Sequence, residues 1–212
     1  MDDGEFDTAL TASAFRLAAE RGWSGVTVAE AARRADLKLD RARARFPTRA
    51  VILLRFGRVA DQAALALATN EGAHRDRLFD ILMRRIDVLQ AHRDGVLALL
   101  RGLRTDPCTA AVLTAANLCS MGWMLDGAGI GSTGLMGRLR AQGLLAVWLA
   151  TVRAWRDDVG EDLSATMAAL DKALSRAEQV EGWMTGRRRA PADPLPIDPI
   201  GEAPPDLDPL PA

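Results

Sequence analysis

The chain has 212 residues, 49% of them hydrophobic, and a formal net charge of −1. A chain of this length has room for one or two compact units with a buried core. One so nearly neutral is not a polyelectrolyte, so any affinity for nucleic acid must come from a local patch. With no Tyr, five Phe and an abundance of Ala, Leu and Arg, it favours helix over strand.

The first seven residues, Met1 to Asp7, carry four acids and no basic or apolar stretch, which fits neither a signal nor a transit peptide. Helical periodicity then begins. Thr8 to Glu20 sets Leu10, Ala14, Leu17 and Ala18 on one face, and Gly22 ends that helix at a position open to a left-handed cap. A second helix starts at Thr27-Val28-Ala29-Glu30, a capping box pattern, and ends near Ala35. A third runs from about Leu39 to Arg45 and closes at Phe46-Pro47, because proline disfavours helical geometry in the residue before it. A fourth, longer helix is expected from Thr48 towards Thr69.

The middle pair has the length and spacing of a DNA-binding helix-turn-helix. Through Ala18-Ala19-Glu20-Arg21-Gly22-Trp23, Thr27-Val28, Ala31-Ala32, Leu37 and Phe46-Pro47, about fifty residues resemble the N-terminal module of the TetR family. That resemblance implies an all-α fold with a three-helix DNA-binding module, a helical domain that binds an apolar ligand, and a homodimer. The departures fall in the turn, where Asp36 replaces a small residue, and in the recognition helix, which reads Lys38, Leu39, Asp40 and Arg41. Arg43 stands where the family often has an aromatic. Asp40 opposes phosphate, and neither Asn nor Gln is present for an adenine edge. Between Arg33 and Arg58, nine basic residues meet two acidic ones, a local net of +7. Lys38, Arg41, Arg43, Arg45 and Arg49 are therefore the candidate DNA contacts. The same charges equally describe a solvated basic helix end or a docking surface for an acidic partner, and the acidic N-terminus and tail are placed to lie over the patch.

Further helices are expected at Asp76–Gln90, His92–Gly102, Pro107–Asp126, Thr133–Arg156 and Glu161–Met184. Asp106 before Pro107 is a good N-cap followed by a favourable first-turn proline. Thr133–Arg156 holds more apolar residues than one face can bury, which calls for a second surface, a dimer partner or a pocket. Met121, Trp123, Met124, Leu125, Trp148, Leu149 and Trp155 are the pocket candidates, because Met packs adaptably around irregular ligands; plain core is the competing reading. The stretch from Pro107 to Gly137 lacks a run of about 18 consecutive apolar residues and is not expected to span a membrane.

A second resemblance covers about residues 10 to 180. It rests on Arg84-Arg85-Ile86-Asp87-Val88-Leu89-Gln90-Ala91-His92-Arg93, Ala128-Gly129, Ser132-Thr133, Arg140, Leu144-Leu145, Trp155, Asp158, Asp162-Leu163, Thr166 and Leu170-Asp171, with Gly22-Trp23 and Phe56-Gly57-Arg58-Val59-Ala60-Asp61. These resemble the TetR-fold accessory family of ubiquinone biosynthesis, whose members hold isoprenoid lipids, touch membranes and assist a ring hydroxylase. The aromatic-rich run that follows Ser-Thr in that family is here Gly134-Leu135-Met136-Gly137. This resemblance implies a non-enzymatic carrier of an isoprenoid or similar apolar ligand, acting as a homodimer in the cytoplasm with peripheral contact at the inner membrane face.

Nothing suggests catalysis or a cofactor. His74 and His92 are the two histidines, the first in a polar linker and the second at a helix junction. No His-x-x-x-His, nucleophile elbow or phosphate loop is present. Asp157-Asp158 and Glu161-Asp162 lack calcium-loop spacing and suit the positive end of the last helix. Cys108 and Cys119, eleven apart, match no metal or redox pattern and read as reduced packing residues. Trp183-Met184 before three arginines suits either a helix end or an anchor at an anionic membrane. The tail from Ala190 holds eight of the ten prolines and five acids and has too little to bury to become ordered. The organisation expected is thus a helix-turn-helix unit over 1–60, a ligand-binding and dimerisation unit over 61–186, and a Pro-rich acidic tail over 187–212. Two functions stand: the ubiquinone-type accessory protein, and a TetR-type ligand-responsive DNA-binding regulator.

Overall fold

The computed structural model describes residues 1–68 and 71–184, the side chains of 181–184 excepted. The expected tail at 187–212 and the side chains of Trp183 and Met184 lie outside the described residues. Within them the chain is all-α: α1 (Asp3–Arg21), a single 3-10 turn (Trp23–Gly25), α2 (Val28–Arg34), α3 (Leu39–Arg45), α4 (Arg49–Leu65), α5 (His74–Gln90), α6 (Arg93–Gly102), α7 (Pro107–Gly127), α8 (Gly134–Asp157) and α9 (Ser164–Met184).

The helix ends follow local chemistry. α1 begins five residues earlier than its periodicity suggests, because Asp2 and Glu5 form a full capping box: Asp2 Oδ1 accepts from the Glu5 amide at 2.7 Å and Glu5 Oε2 from the Asp2 amide at 2.9 Å. At α2 the expected box forms by half. Thr27 Oγ1 accepts from the Glu30 amide at 3.2 Å, while the Glu30 carboxylate turns to Arg33 at 3.6 Å and Arg21 at 3.8 Å. Asp106 caps α7 through both the amide and the hydroxyl of Thr109, at 3.0 and 2.7 Å. Of the four acids before α9, Asp158 and Asp162 act as caps, while Asp157 accepts from its neighbour Arg156. Asp158 accepts from the Thr166 amide and hydroxyl at 2.9 and 2.8 Å, and Asp162 from the Ser164 amide at 3.3 Å. The bonds from Thr166 hold the Asp158 carboxyl below its ordinary value.

One core runs from Phe6 in α1 to Leu174 in α9. It crosses position 60, where the sequence divides the chain, because α4 passes through that point without a break. α1 and α6 approach so closely that a Cβ on Gly95 would lie 2.3 Å from the Phe15 carbonyl oxygen. α8 packs chiefly on α9 and α7, and α7 also on α4. By length and composition α7 is apolar enough to cross a membrane; counting only unbroken apolar runs misses this.

Cys108 and Cys119 are exposed, not packed. They lie at helical spacing on one face of α7 with the exposed Val112 and Trp123, and α8 has exposed apolar residues of its own, Leu135, Met136, Leu139 and Leu149.

Candidate functional site

Two features carry chemistry: the helix-turn-helix at one end and an apolar cavity at the other. In the first, Ala31, Ala32, Leu37, Ala42 and Phe46 are buried and set α2 against α3. The turn passes through Asp36 at a φ of 53°. Asp tolerates this left-handed geometry better than most side chains, so the departure from glycine leaves the turn intact. α3 then presents Lys38, Leu39, Asp40, Arg43 and Ala44 to solvent.

The five candidate DNA-contacting cations are brought to this end of the molecule, but four of them already have partners. Arg41 donates to the Asp2 carbonyl at 3.0 Å, the Met1 carbonyl at 3.3 Å and Asp3 Oδ1 at 2.5 Å, and its guanidinium lies 4.5 Å over the Phe6 ring. Arg45 donates to Asp7 at 2.6 and 2.8 Å and pairs with Asp3 at 2.5 Å. Arg55, outside the predicted set, also pairs with Asp7 and donates to the Arg45 carbonyl at 3.1 Å. Arg43 donates to the Pro47 carbonyl at 2.7 Å. Arg49 donates to the Ser24 carbonyl at 3.2 Å and to Asp106 at 3.0 Å. Among the described residues Lys38 has no ion-pair partner.

The acidic N-terminus therefore does lie over part of the basic patch, as the first two turns of α1. Arg41 and Arg45 hold the Asp3 carboxyl below its ordinary value. At Asp7, burial pushes the carboxyl up, but hydrogen bonds and charge from Arg45 and Arg55 outweigh it. The Arg45 guanidinium is raised in turn, chiefly by Asp7.

The cavity has a volume of about 190 Å³. Its wall comprises Leu53, Phe56, Gly57 and Ala60 of α4, Arg85 and Leu89 of α5, and Val96, Leu99 and Leu100 of α6 followed by Leu103. Ala110, Leu113, Thr114 and Asn117 of α7 and Leu145, Trp148, Leu149 and Val152 of α8 complete it. Thr114 and Leu149 are also exposed at the surface, which marks the α7/α8 side as its opening.

Of the seven predicted pocket residues, Trp148 and Leu149 line this cavity. Met121, Met124, Leu125 and Trp155 are buried in the core away from it, and Trp123 is 67% exposed. The helical period explains the split. α7 turns 110, 113, 114 and 117 towards the cavity, whereas 121, 124 and 125 continue that side past the cavity's end and 123 points the other way. Trp155 anchors the neighbouring junction: its Nε1 donates to Gln90 at 2.8 Å and Arg93 lies 4.8 Å over its ring. The signal that would have located the cavity is small residues, Gly57, Ala60, Ala110 and Thr114. Large Met and Trp side chains fill space rather than leave it.

Arg85 is the charged residue in that wall. It is 3% exposed, and its Nε sits 3.0 Å from Asp61 Oδ1. Asp61 Oδ2 accepts from the Ser120 hydroxyl at 2.5 Å. The Arg85 guanidinium lies 4.5 Å over the Trp148 ring. Burial pulls its proton affinity down, against the pull of Asp61.

His92 lies at the junction between the two features. It stacks on Phe15 of α1 at 5.4 Å and meets Phe56 of α4 edge-on at 5.6 Å. His74, expected in a linker, opens α5 with Nδ1 2.9 Å from the Ala128 carbonyl.

No protein-family model matches the sequence, and no curated protein matches it. Solved structures do. A TetR transcriptional regulator from Nitrosomonas europaea ATCC 19718 superposes with a TM-score of 0.68 at 20% identity, over 82% of this chain and 98% of its own. A TetR-family transcriptional regulator from Streptomyces coelicolor gives 0.61 at 18% identity over 87% and 85%. A TetR transcriptional regulator from Rhodococcus sp. RHA1 gives 0.56 at 16% over 83% and 97%.

This chain has the TetR fold. The likeness spans both the helix-turn-helix and the cavity-bearing helices. None of the comparisons supports the resemblance to the ubiquinone-biosynthesis family.

Proposed function

We propose that this protein is a non-catalytic, ligand-responsive DNA-binding regulator of the TetR type that works as a homodimer. One observation carries the reading: α4 serves both features. It supplies four residues of the cavity wall, and it starts at Arg49, directly after the loop that closes the recognition helix α3 at Arg45. A molecule filling the cavity pushes on Leu53, Phe56, Gly57 and Ala60 and so tilts the helix from which α3 hangs. In a dimer this changes the spacing of two recognition helices across the major groove.

The exposed apolar stripes of α7 and α8 support the dimer. Two adjacent helices with unburied apolar faces suit a four-helix packing with a second copy, and closed two-fold dimers are the usual solution. Leu149, at the cavity's mouth, belongs to the exposed apolar set of α8, so a partner packed on α8 would reach that mouth. The accessory reading rests on the sequence resemblance alone. A cavity of about 190 Å³ suits a ring-sized apolar group, since a comparable engineered void holds benzene, and a long isoprenoid chain needs far more.

The test is selection of genomic fragments by the purified full chain, then binding of the selected site against salt. Lys38→Ala and Arg43→Ala should each weaken binding and lower the salt slope by about one phosphate contact. No fragment enriched above background, or slopes unchanged in both variants, would rule the regulator out.

A further inference from the structure

Residues 107 to 125 carry no charged side chain, so the solvent-facing side of α7 is uncharged until its last turn. Along it run Cys108, Val112, Ala115 and Cys119, all exposed, at intervals of four, three and four residues. That is the a/d spacing of a coiled-coil seam. The seam is also symmetric. About a midpoint between Leu113 and Thr114, Cys108 mirrors Cys119, Ala111 mirrors Ala116, and Val112 mirrors Ala115. A two-fold axis through that midpoint sets α7 antiparallel to the α7 of a second copy and lays each residue on its mirror mate. A patch that is its own complement under a two-fold is what an isologous contact requires. The charges at the ends agree. Arg104 is exposed in the turn before α7 and Asp126 in the last turn, while Asp106 is already taken up by Arg49. An antiparallel pair brings Arg104 towards the partner's Asp126 and opposes the helix dipoles; a parallel pair would bring like charges and like dipole ends together.

We infer that α7 is the self-pairing face of the homodimer in this antiparallel register, and that each Cys108 faces the partner's Cys119 as a thiol pair that a hydroperoxide oxidises to a disulfide. This deepens the homodimer reading above and rests on it. The small side chains of Ala111, Ala115 and Ala116 let the helix axes approach to about 8 Å. With Cα atoms about 2.3 Å from each axis, facing residues then reach the Cα separation of about 4.4–6.8 Å that a disulfide takes. Within one chain the two cysteines are eleven residues apart on a single helix, roughly 16 Å, and cannot join. In the oxidation one sulfur attacks the peroxide, breaking its O–O bond to leave a sulfenic acid and an alcohol, or water from hydrogen peroxide; the facing thiol then displaces water to form the S–S bond. Two equivalent bonds clasp the dimer along the helix whose Ala110, Leu113, Thr114 and Asn117 wall the cavity.

The full chain is sized by sedimentation in reductant, then treated with hydrogen peroxide and run on a denaturing gel without reductant. The parent should sediment as a dimer and become covalently dimeric on oxidation, with Cys108 peptides joined to Cys119 peptides in the digest. Cys108→Ser and Cys119→Ser, both at exposed positions, should stay dimeric, and each should lose the crosslink entirely. Coexpressing the two variants should restore it, because a mixed dimer keeps one facing pair. A crosslink in either variant alone, a dimeric parent that peroxide leaves uncrosslinked, or mixed dimers without a crosslink would overturn the register and the thiol pair while leaving the homodimer. A parent that sediments as a monomer in reductant would overturn the homodimer reading itself.

Discussion

At the helix-turn-helix end, Arg41, Arg45 and Arg55 crowd onto Asp3 and Asp7, with every guanidinium at least partly in water. At the cavity end, Arg85 is buried against one imperfectly aligned aspartate and a tryptophan face. The two arrangements hold the same kind of ion pair at different cost. In water the surface pairs are cheap to break, so phosphates can compete for those arginines. In the interior the pair is weakly rewarding but expensive to halve. At one end the pairs can exchange partners with water, and at the other the pair is fixed in place.

The largest test of that contrast is stability. Arg85→Ala leaves Asp61, whose side chain is 16% exposed and whose Oδ1 is shut off from water, without its cation and should cost about 3 kcal/mol, the low end for breaking one side of a buried pair. Arg85→Met with Asp61→Asn should cost much less, because no lone charge remains. Chemical denaturation of the three proteins checks both statements. If the single and double variants lose the same stability, water reaches the Asp61 carboxylate once Arg85 is gone.

Next in size is the seam between the two ends. A Cβ on Gly95 would collide with the backbone of Phe15, at 2.3 Å from its carbonyl oxygen and 2.8 Å from its carbonyl carbon. Backbone cannot swing aside as a side chain can. Gly95→Ala should therefore cost about 1–3 kcal/mol, the usual scale of overpacking, despite alanine's better helix propensity. A melting temperature equal to the parent's would mean that α1 and α6 are free to separate.

How much of this was legible beforehand divides along the same line. Local signals give helix ends well: Thr27 caps α2 and Phe46-Pro47 closes α3 in the helix-turn-helix, and Asp106-Pro107 opens α7 beside the cavity. The first turn of α1 was missed, because Asp2 and Glu5 look like a polar leader until they are seen to cap each other. The pairing of Asp3 and Asp7 with arginines some forty residues away is non-local, and spacing cannot supply it; only the general possibility of an acidic cover was visible. The cavity was the least legible part. It arises where Gly57, Ala60, Ala110 and Thr114 from two helices fail to fill a space, and a void leaves no periodic trace in the chain. Arg85 was in view only as part of a family-like run, with nothing in its neighbours to announce burial.

A smaller effect separates cover from contact at the helix-turn-helix end. Asp3→Asn with Asp7→Asn removes two carboxylates from the basic patch and releases Arg41 and Arg45. The full chain should bind the selected DNA site about tenfold more tightly at low salt, with a steeper salt slope, as newly free cations reach phosphates. Stability should fall by about 1–2 kcal/mol, since Asp7 and Arg45 are partly buried while Asp3 is exposed. Unchanged affinity would show that these arginines stay away from DNA even when free.

The smallest expected effect lies at His92, where both ends meet. Burial, with Arg16 adding to it, lowers its imidazole below the ordinary value of 6.5, so the folded protein keeps it neutral against Phe15 and Phe56. The unfolded chain binds a proton there more readily. Stability from this site is therefore complete above about pH 6.5 and declines as pH falls from that value towards the lowered one. His92→Phe keeps an aromatic between Phe15 and Phe56 and removes the titration. Its stability should stay level over that interval while the parent's declines, as followed by denaturant titration across the pH range. Parallel curves would place the imidazole in solvent, and the aromatic seam joining α1, α4 and the cavity helices would then be looser than the stacking geometry indicates.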